Sequence, residues 1–585
     1  MKKRQISWNF IIAFLITAVM ALTAGLLFDF YFDLNDDVLM KDILSGAYTG
    51  TPAGHNIQML YPVSALISLF YRLFQGADWY GIFLCGAQFG CIFLILWRSL
   101  VMLRRAGVQG RQRLLVMLTE AVVILSVLLP HLVYVQYTVT AALLSGTAAF
   151  LLLTGAGRKN DLAACIMIWL AYLIRSEMLL LTLPVVAVAL FIRWRMEQRR
   201  GQLRKYILLG SILLAGIAAG ALANRLAYSS PQWKQFESFF DYRTEVYDFQ
   251  GIPEYQDNRE FYDSIGLSED EQALLVNYNF GLDQEIDANC MGKIAAYAAV
   301  HNQDEKPFAE KLQAALKAYI YRLHHLGLPQ TFEYPQTDAP WNLLTAVLFL
   351  AALVLYLTDY VRQPGRARFR IILWVLLLFA ADSVLWGYIL VRGRDPIRIT
   401  HPLYLMEMVV LGGLILKQVR GNGQQRIRSI LAVLLLVCAA VYLPSAYHIT
   451  AAEQQERAQS NAPYQEMRNY CRAHADSFYF MDVYSSVSYS EKMFADVDNT
   501  LVNCDIMGGW ACKSPLQAEK FAVYGFKNMQ SALLQEHVYF IQCADGDTSW
   551  IVKYYQAQGI QVSLQKTDTV GGSFAVYQIR KAETK

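Results

Sequence analysis

The sequence predicts a polytopic α-helical membrane protein of about eleven spans, followed by a C-terminal extracytoplasmic α/β domain. Of its 585 residues, 55% are hydrophobic and only 17% are charged, and the mean hydropathy is +0.27. Apolar runs such as FIIAFLITAVMALTAGLLF are longer than a soluble core requires. No P-loop, GxGxxG, HExxH or zinc-type Cys/His spacing is present, so cofactor enzymes of those kinds are unsupported. We expect no nucleic-acid partner.

Alternating basic clusters predict the topology. A span needs about 20 apolar residues. The candidate spans are 8–28, 79–101, 114–134, 137–154, 206–226, 341–360, 371–391, 400–416 and 429–447. Between them lie the basic clusters Arg98 to Arg113, Arg158 with Lys159, Arg193 to Lys205, Arg362 to Arg370, and Lys417 to Arg428. If every cluster is cytoplasmic, the N-terminus is cytoplasmic and the C-terminus is extracytoplasmic in a multi-pass cell-membrane protein.

The requirement that every basic cluster be cytoplasmic also decides whether two ambiguous segments span the membrane. If residues 57–74 spanned the membrane, the Arg98 to Arg113 cluster would lie outside, so we expect an interfacial helix there. Residues 162–192 have basic clusters at both ends and are expected to form a hairpin that turns at Arg175–Ser176–Glu177. Each arm would reach only about 20–23 Å, short of the ~30 Å hydrocarbon core.

Three parts of the chain are then expected outside the cell. Within the transmembrane domain, 1–447, these are the first loop, 29–78, and a large helical loop, 227–340. In the large loop, Ser268 with Glu271 predicts a capping box, and Pro307 begins an amphipathic helix. The third part is the α/β domain, 448–585, with strands expected at 478–485, 538–543, 560–565 and 573–580, and helices at 514–525, 528–536 and 549–559.

Five of the nine cysteines face outward on this topology, and four of them are in the C-terminal domain. Four cysteines allow three pairings. An extracytoplasmic location permits disulfides without requiring them. Cys504 and Cys512, which flank the loop DIMGGWA, are the first pair to consider.

The adjacent carboxylates Asp36 and Asp37 follow the first span in FDLNDDVLMKDILSGAY. One interpretation is structural: Asn35 caps a short helix and the two acids favour its positive end. The other is catalytic, with a carboxylate acting as a general base. The two interpretations are compatible.

A second constellation is VRGRDPIRITHP, which places Arg392, Arg394 and Arg398 in a short outer turn. Arginines on this side break the positive-inside trend and suit a lipid phosphate, although an anionic-lipid anchor or pairing with nearby acids would also explain them. Arg175 and Glu177 are ionisable groups at membrane depth, which are either functional or a structural pair.

Weaker candidates are single polar or aromatic residues near these segments. A lone histidine is more often a structural hydrogen-bonder, and a Trp after two glycines more often packs over a turn than stacks a sugar. These candidates are His55, His131, Gln136, Tyr242, Arg243, His401 and the GGW at Gly508 to Trp510.

With the acid pair, the interfacial helix, the outer arginines and the C-terminal domain, the chain resembles the GT-C superfamily of membrane glycosyltransferases, in a bacterial form. The resemblance implies a polyprenyl-phosphate sugar donor and an extracytoplasmic acceptor such as a cell-envelope glycan, lipid or protein. It implies Asp36 or Asp37 as base, and Arg392, Arg394, Arg398 and Arg175 as phosphate ligands. Some members use a divalent metal, Mg²⁺ or Mn²⁺, between acid and phosphate.

Two other classes remain open. One is a lipid-glycan flippase or transporter, which should show broken helices in paired halves. No internal repeat is visible, and the ionisable residues concentrate on the outer side. The other is an oligosaccharide polymerase or ligase of cell-envelope assembly.

Overall fold

A computed structural model describes residues 2–155, 157–197, 203–301, 307–327, 338–362, 365–418, 425–495 and 499–582. Parts of three predicted basic clusters, at 198–202, 363–364 and 419–424, lie outside these ranges. The helices of the membrane part and its loops are α1 (Lys2–Leu27), α2 (Asn35–Ser45), α3 (Tyr61–Leu73), α4 (Trp79–Arg105), α5 (Gly110–Val133), α6 (Tyr137–Thr154), α7 (Arg158–Ile174), α8 (Ser176–Glu197), α9 (Leu203–Ala227), α10 (Pro231–Glu245), α11 (Arg259–Ile265), α12 (Glu269–Val276), α13 (Ala288–His301), α14 (Phe308–His324), α15 (Trp341–Arg362), α16 (Arg366–Val391), α17 (Ile397–Lys417) and α18 (Gln425–Ala473).

Three short helices and seven strands complete the described chain. The helices are α19 (Pro515–Val523), α20 (Met529–Ala532) and α21 (Ser549–Ala557). The strands are β1 (Tyr31–Phe32), β2 (Tyr134–Val135), β3 (Phe478–Met481), β4 (Cys504–Ile506), β5 (Val538–Cys543), β6 (Val562–Val570) and β7 (Phe574–Lys581).

Ten of the described helices are long and apolar enough to cross a membrane: α1, α4, α5, α6, α8, α9, α15, α16, α17 and α18. All of them except α6, which is buried along its whole length, expose large apolar side chains, as lipid-facing helices do; Leu26, for example, is 82% exposed. The remaining predicted span is α7, whose 17 residues reach about 26 Å. The predicted fold class, a multi-pass helical membrane protein with a C-terminal α/β domain, is confirmed.

The hairpin predicted within 162–192 is present. Helix α7 ends at Ile174 and α8 begins at Ser176, so the chain turns at Arg175. The prediction of two short arms is wrong for α8, which has 22 residues and extends about 33 Å. Arg193, taken from the sequence as the start of a loop, is fully buried in α8 because Asp161 of α7 neutralises it at 2.5 Å.

The first loop is folded onto the end of the helix bundle. Helix α3 is only 13 residues long, about 20 Å, so it is too short to span, as expected for 57–74; its place in the membrane interface stays a prediction. Strand β1 pairs in parallel with β2, which follows α5. The prediction that Asn35 caps α2 is wrong. The cap position belongs to Leu34, which is extended and makes no side-chain capping bond, and Asn35 is the first helical residue.

The large loop between α9 and α15 is mostly helical in its described part. The predicted capping box is present, since Ser268 Oγ accepts from the Glu271 N–H and the Glu271 carboxylate accepts from the Ser268 N–H. Pro307 occupies the cap position of α14, as expected. This loop and the first loop lie on the same face of the bundle as the C-terminal domain, and we call it the domain face.

The C-terminal domain contains a mixed five-stranded sheet of order β4-β3-β5-β7-β6. Strand β3 is parallel to β4 and β5, whereas β7 is antiparallel to β5 and β6. All four predicted strands and all three predicted helices are present. The short edge strand β4 was not predicted, because CDI has neither the length nor the alternation that indicates a strand.

The membrane part and the C-terminal domain are joined by one continuous helix. Helix α18 runs for 49 residues and passes residue 447 without a break. Beyond it, the domain contacts the first loop through main-chain bonds: the Phe32 N–H donates to Glu491 O at 3.0 Å, and the Met493 N–H donates to Phe30 O at 2.8 Å. Arg457 of α18 also pairs with Asp33 at 2.8 Å.

All nine cysteines are free thiols, so the pairing considered for Cys504 and Cys512 is wrong. Cys504 lies on β4 and is hydrogen-bonded instead to Cys471, in the last turn of α18. The thiols of Cys504 and Cys512 therefore lie in different surroundings. Cys512 is buried in the core that the C-terminal domain shares with the large loop.

Candidate functional site

Asp36 lies in the first turn of α2, half-buried, at the wall of a cleft of about 310 Å³. The cleft lies where the first loop, the large loop and the C-terminal domain meet on the domain face. Its lining includes Asp36, Arg243 of α10, and Tyr484 and Trp510 of the C-terminal domain. The carboxylate is therefore accessible from a space bounded by three separate parts of the chain.

Three arginines surround Asp36 electrostatically. Arg398 is the second residue of α17, Arg243 comes from the end of α10, and Arg175 is the residue at the α7–α8 turn. Burial raises the pKa of Asp36, and Arg398, Arg243, Arg175 and a hydrogen bond from Trp510 oppose that shift without cancelling it. The result is a partly desolvated carboxyl whose ionised form depends on three cations.

The GGW segment positions Trp510 against Asp36. A Cβ at Gly508 would lie 1.9 Å from the carbonyl oxygen of Tyr278, so this position accepts only glycine. Gly509 has a φ of +88°, which also favours glycine. Tyr278 in turn accepts a hydrogen bond from Arg243 through its hydroxyl. The two glycines thus bring the C-terminal domain into contact with the large loop beside the carboxylate.

Asp37 has a different environment, although it is the next residue. Its side chain is fully buried and does not line the cleft. The Tyr80 hydroxyl donates to Asp37 Oδ1 at 2.7 Å, while Oδ2 has no hydrogen-bond partner among the described residues. Burial raises the pKa of Asp37 well above its ordinary value, because the Tyr80 bond offsets only part of the desolvation.

The predicted arginine group is divided by the fold. Arg398 lies near Asp36 and forms no ion pair with another described residue. Arg394 pairs with Asp248 at 3.2 Å and lies over the Phe249 ring. Arg392 also lies over Phe249, 5.5 Å from the ring centroid. The structure therefore places Arg398, and not the other two, beside the carboxylate.

The remaining candidates have mostly structural surroundings. Glu177 pairs with Arg175 at 3.1 Å. His55 stacks on Trp233 and contacts the carbonyl of Ala227 at 3.2 Å.

Two further candidates also lie outside the Asp36 cluster. His401 is 2.7 Å from His131 and stacks on Trp341. Tyr242 is 42% exposed and lies against Gly292. Among these weaker candidates, only Arg243 and Trp510 join Asp36.

A divalent metal would need several oxygen ligands in one place. The first loop supplies Asp33, Asp36 and Asp37, but Asp33 is paired with Arg457 and Asp37 is bonded to Tyr80. No group of three or more His, Cys, Asp or Glu among the described residues is placed to hold a metal ion. The residues present do not fit such a group.

The fold and the site define a multi-pass membrane protein with a carboxylate–arginine centre on its domain face. No family model and no curated protein matches the chain. Among solved structures, the chain is similar in overall fold to ArnT from Cupriavidus metallidurans bound to undecaprenyl phosphate. That alignment covers 96% of this chain and 97% of the other, with a TM-score of 0.38 and 12% identity.

Proposed function

We propose that the chain is a membrane glycosyltransferase that moves a sugar from a polyprenyl-phosphate donor to an acceptor on the domain face. The observation that carries the proposal is Asp36 at the wall of an open cleft that Arg243 also lines, with Arg175 and Arg398 close enough to lower the pKa of its carboxyl. A carboxylate base and cations for a leaving phosphate are the two large requirements of this reaction.

Asp36 is proposed as the general base. It is the acid of the pair that lines the cleft, so an acceptor hydroxyl can reach it. Its pKa is raised by burial, which makes the carboxylate a stronger base than an exposed aspartate. Asp37 is proposed to support the loop from inside through its bond with Tyr80.

Arg398 and Arg175 are proposed to hold the donor phosphate. Both lie at ends of membrane helices on the domain face, the level at which lipid head groups lie. A guanidinium forms two parallel charge-assisted bonds with a phosphate. Arg175 is already oriented, because Gln58 accepts from it at 2.9 Å and its guanidinium lies 5.4 Å from the centroid of the Tyr137 ring.

The reaction then balances without a further reactant. The acceptor hydroxyl loses its proton to Asp36, and its oxygen forms a bond with the anomeric carbon of the donor sugar. The bond from that carbon to the phosphate oxygen breaks, and the electron pair leaves with the polyprenyl phosphate. The negative charge that develops on the leaving oxygen is stabilised by Arg398 and Arg175 in a partly desolvated site.

The domain face is proposed to be extracytoplasmic. The predicted basic clusters belong to the opposite ends of the helices, and such clusters favour the cytoplasm. The donor would therefore be a lipid-linked sugar exposed outside the cytoplasm, and the acceptor would be a component of the cell envelope.

Substitution of the two acids tests the proposal. Asp36→Asn removes the base but keeps the size of the side chain, and we expect transfer to fall by about 10²–10⁴-fold. Asp37→Asn is the matched control, since an amide oxygen still accepts the Tyr80 hydrogen bond. The measurement is single-turnover transfer from a radiolabelled polyprenyl-phosphate sugar in detergent, with thermal stability recorded for each variant.

We expect Asp37→Asn to retain most transfer, because its carboxyl does not face the cleft. Wild-type rates in a stably folded Asp36→Asn variant would refute the assignment of the base. A protein that moves the intact lipid-linked sugar across vesicles, with no transfer, would instead be a transporter.

A further inference from the structure

The cleft does not end at Asp36 but extends into the C-terminal domain. Its far wall is formed by β4 and by the segment that follows β3, and the near wall is formed by α2. Arg175 and Arg398 are not part of its lining. Asp36 therefore lies at a boundary. On one side are Arg398, which has no ion-pair partner among the described residues, and Arg175, which is paired with Glu177; on the other side is this cleft.

Six aromatic side chains that each carry a polar group contribute to the lining of the cleft. They come from all three parts that bound it, and one of them, Tyr484, is 60% exposed at the opening. Rings that present a flat apolar face together with a polar edge suit a ligand that has both apolar and hydroxyl surfaces. The lining rings belong to Tyr48, Tyr278, Tyr464, Tyr484, Tyr489 and Trp510.

The lining of the cleft contains equal numbers of acidic and basic side chains. The three acids are Asp36, Asp42 and Asp505, and the three cations are Arg243, Arg468 and Lys520. Beyond the Asp36 end, both cations already have partners in the protein. Arg468 lies 3.8 Å from Asp42, and Lys520 donates to the Cys504 carbonyl at 2.5 Å while lying over the Tyr48 ring.

The carboxyl at the far end is similarly engaged. Asp505 accepts hydrogen bonds from Gln517 at 3.0 Å and from the Tyr48 hydroxyl at 3.3 Å. Arg468 has a second acid close by, since Glu491 lies 3.7 Å from it. Arg468 thus already lies beside two carboxylates, and Lys520 is fully buried and hydrogen-bonded within the protein. Neither cation at this end is available to a phosphate or carboxylate, so the cleft favours an uncharged ligand.

From this contrast we infer that the cleft binds the acceptor, and that the acceptor is a neutral saccharide with a hydroxyl directed at Asp36. The inference rests on the proposed function for the role of Asp36, but the binding site stands on the cleft itself. The C-terminal domain then selects the acceptor, while the membrane arginines hold the donor. Specificity and phosphate binding are separated onto opposite sides of one carboxylate.

The test uses the full-length protein in detergent on an array of immobilised neutral, carboxylated and phosphorylated oligosaccharides. We expect binding to neutral glycans. Tyr484→Ala should weaken it at least about tenfold, because this ring is exposed and its loss does not disturb the core. Val487→Trp, at a second exposed position of the lining, should block it. Phe494→Ala is the control, an exposed aromatic of the same domain outside the lining, and should bind as wild type.

Each further outcome has a defined meaning. Binding only to charged glycans, no binding to any, or equal binding by Val487→Trp and wild type would overturn the inference. The Asp36→Asn variant separates it from the proposed function. If that variant transfers sugar at the wild-type rate while neutral glycans still bind, the glycosyltransferase proposal fails and the saccharide site remains. If transfer is lost in that variant but no neutral glycan binds, the glycosyltransferase proposal stands and the saccharide site is refuted.

Discussion

At the scale of single residues, two adjacent aspartates differ because one helical step turns a side chain by about 100°. In α2 that step directs Asp36 to the cleft and Asp37 to the Tyr80 hydroxyl inside the bundle. Since both have raised pKa values, the cause of each shift matters more than its direction. For Asp36, cations reduce the effect of burial, and for Asp37 the main compensation is a single neutral hydrogen bond.

This difference predicts a pH effect at Arg398. Arg398 lowers the pKa of Asp36, so Arg398→Gln should raise that pKa further. The base must be ionised to act, and a higher pKa moves its ionisation to higher pH. We therefore expect the acid limb of the kcat/KM profile to shift to higher pH in Arg398→Gln.

The matched control is Arg394→Gln. Arg394 is paired with Asp248 and is not among the charges that shift the pKa of Asp36. The acid limb of the pH profile of Arg394→Gln should therefore coincide with that of the wild type. The pH profiles of transfer are measured at saturating acceptor for all three proteins. Coincident limbs for Arg398→Gln and wild type would mean that Arg398 does not act on the base.

From the sequence, charges near a membrane interface could be proposed as a group: Asp36, Asp37, Arg175, Arg392, Arg394 and Arg398. Arg243 and the GGW tryptophan were only weak candidates, because their place beside Asp36 depends on contacts between distant parts of the chain. The glycines of GGW are the signal that was available, since Gly508 makes room for the Tyr278 carbonyl. Nothing local separates Arg398 from Arg394, because only the fold brings Asp248 to one of them.

At the scale of elements, charge parity predicted what hydropathy left ambiguous. It indicated that α3 does not span and that the chain turns at Arg175, and both are found. The turn is also tied to the first loop, since the Leu60 N–H donates to Leu173 O at 2.9 Å. The positions of basic clusters could not predict the length of α8. Arg193 was assigned to a loop because the sequence does not show that Asp161 neutralises it inside the bundle.

The packing of α9 on α7 provides an element-scale prediction. A Cβ at Gly216 would lie 2.1 Å from the Trp169 indole, whose N–H is held by the Leu213 carbonyl at 3.1 Å. Gly216→Ala should therefore destabilise the protein by about 1–3 kcal/mol, the usual cost of overpacking. Gly210 of the same helix has no atoms within 4 Å of an added Cβ.

Gly210→Ala is the control for this experiment. Alanine is the better helix former, so this variant should unfold at the wild-type temperature or slightly above it. Thermal unfolding in detergent, followed by size-exclusion chromatography, measures both variants. Equal melting temperatures for the two variants would show that α7 and α9 do not pack as described.

At the scale of the whole molecule, the number of helices that run between the two faces of the bundle is odd. This explains why the acid pair, the large loop and the C-terminal domain can meet on one face. The ten candidate spans together with α7 make eleven helices that run from one face of the bundle to the other, so α18 ends at the face where α1 ends. The Arg457–Asp33 pair and the β1 segment then join the two ends of the chain beside the site.

The proposed orientation of this assembly is tested by labelling single added cysteines in intact cells. Gln556 is exposed on α21 of the C-terminal domain, and Gln109 is exposed between α4 and α5 at the opposite face. Because basic clusters favour the cytoplasm, a membrane-impermeant maleimide should label Gln556→Cys but label Gln109→Cys only after permeabilisation. The signal of the nine native thiols in the parent protein is subtracted from both. Labelling of Gln109→Cys alone in intact cells would place the cleft in the cytoplasm, where a soluble nucleotide-linked donor would be available and the argument for a lipid-linked one would lose its basis.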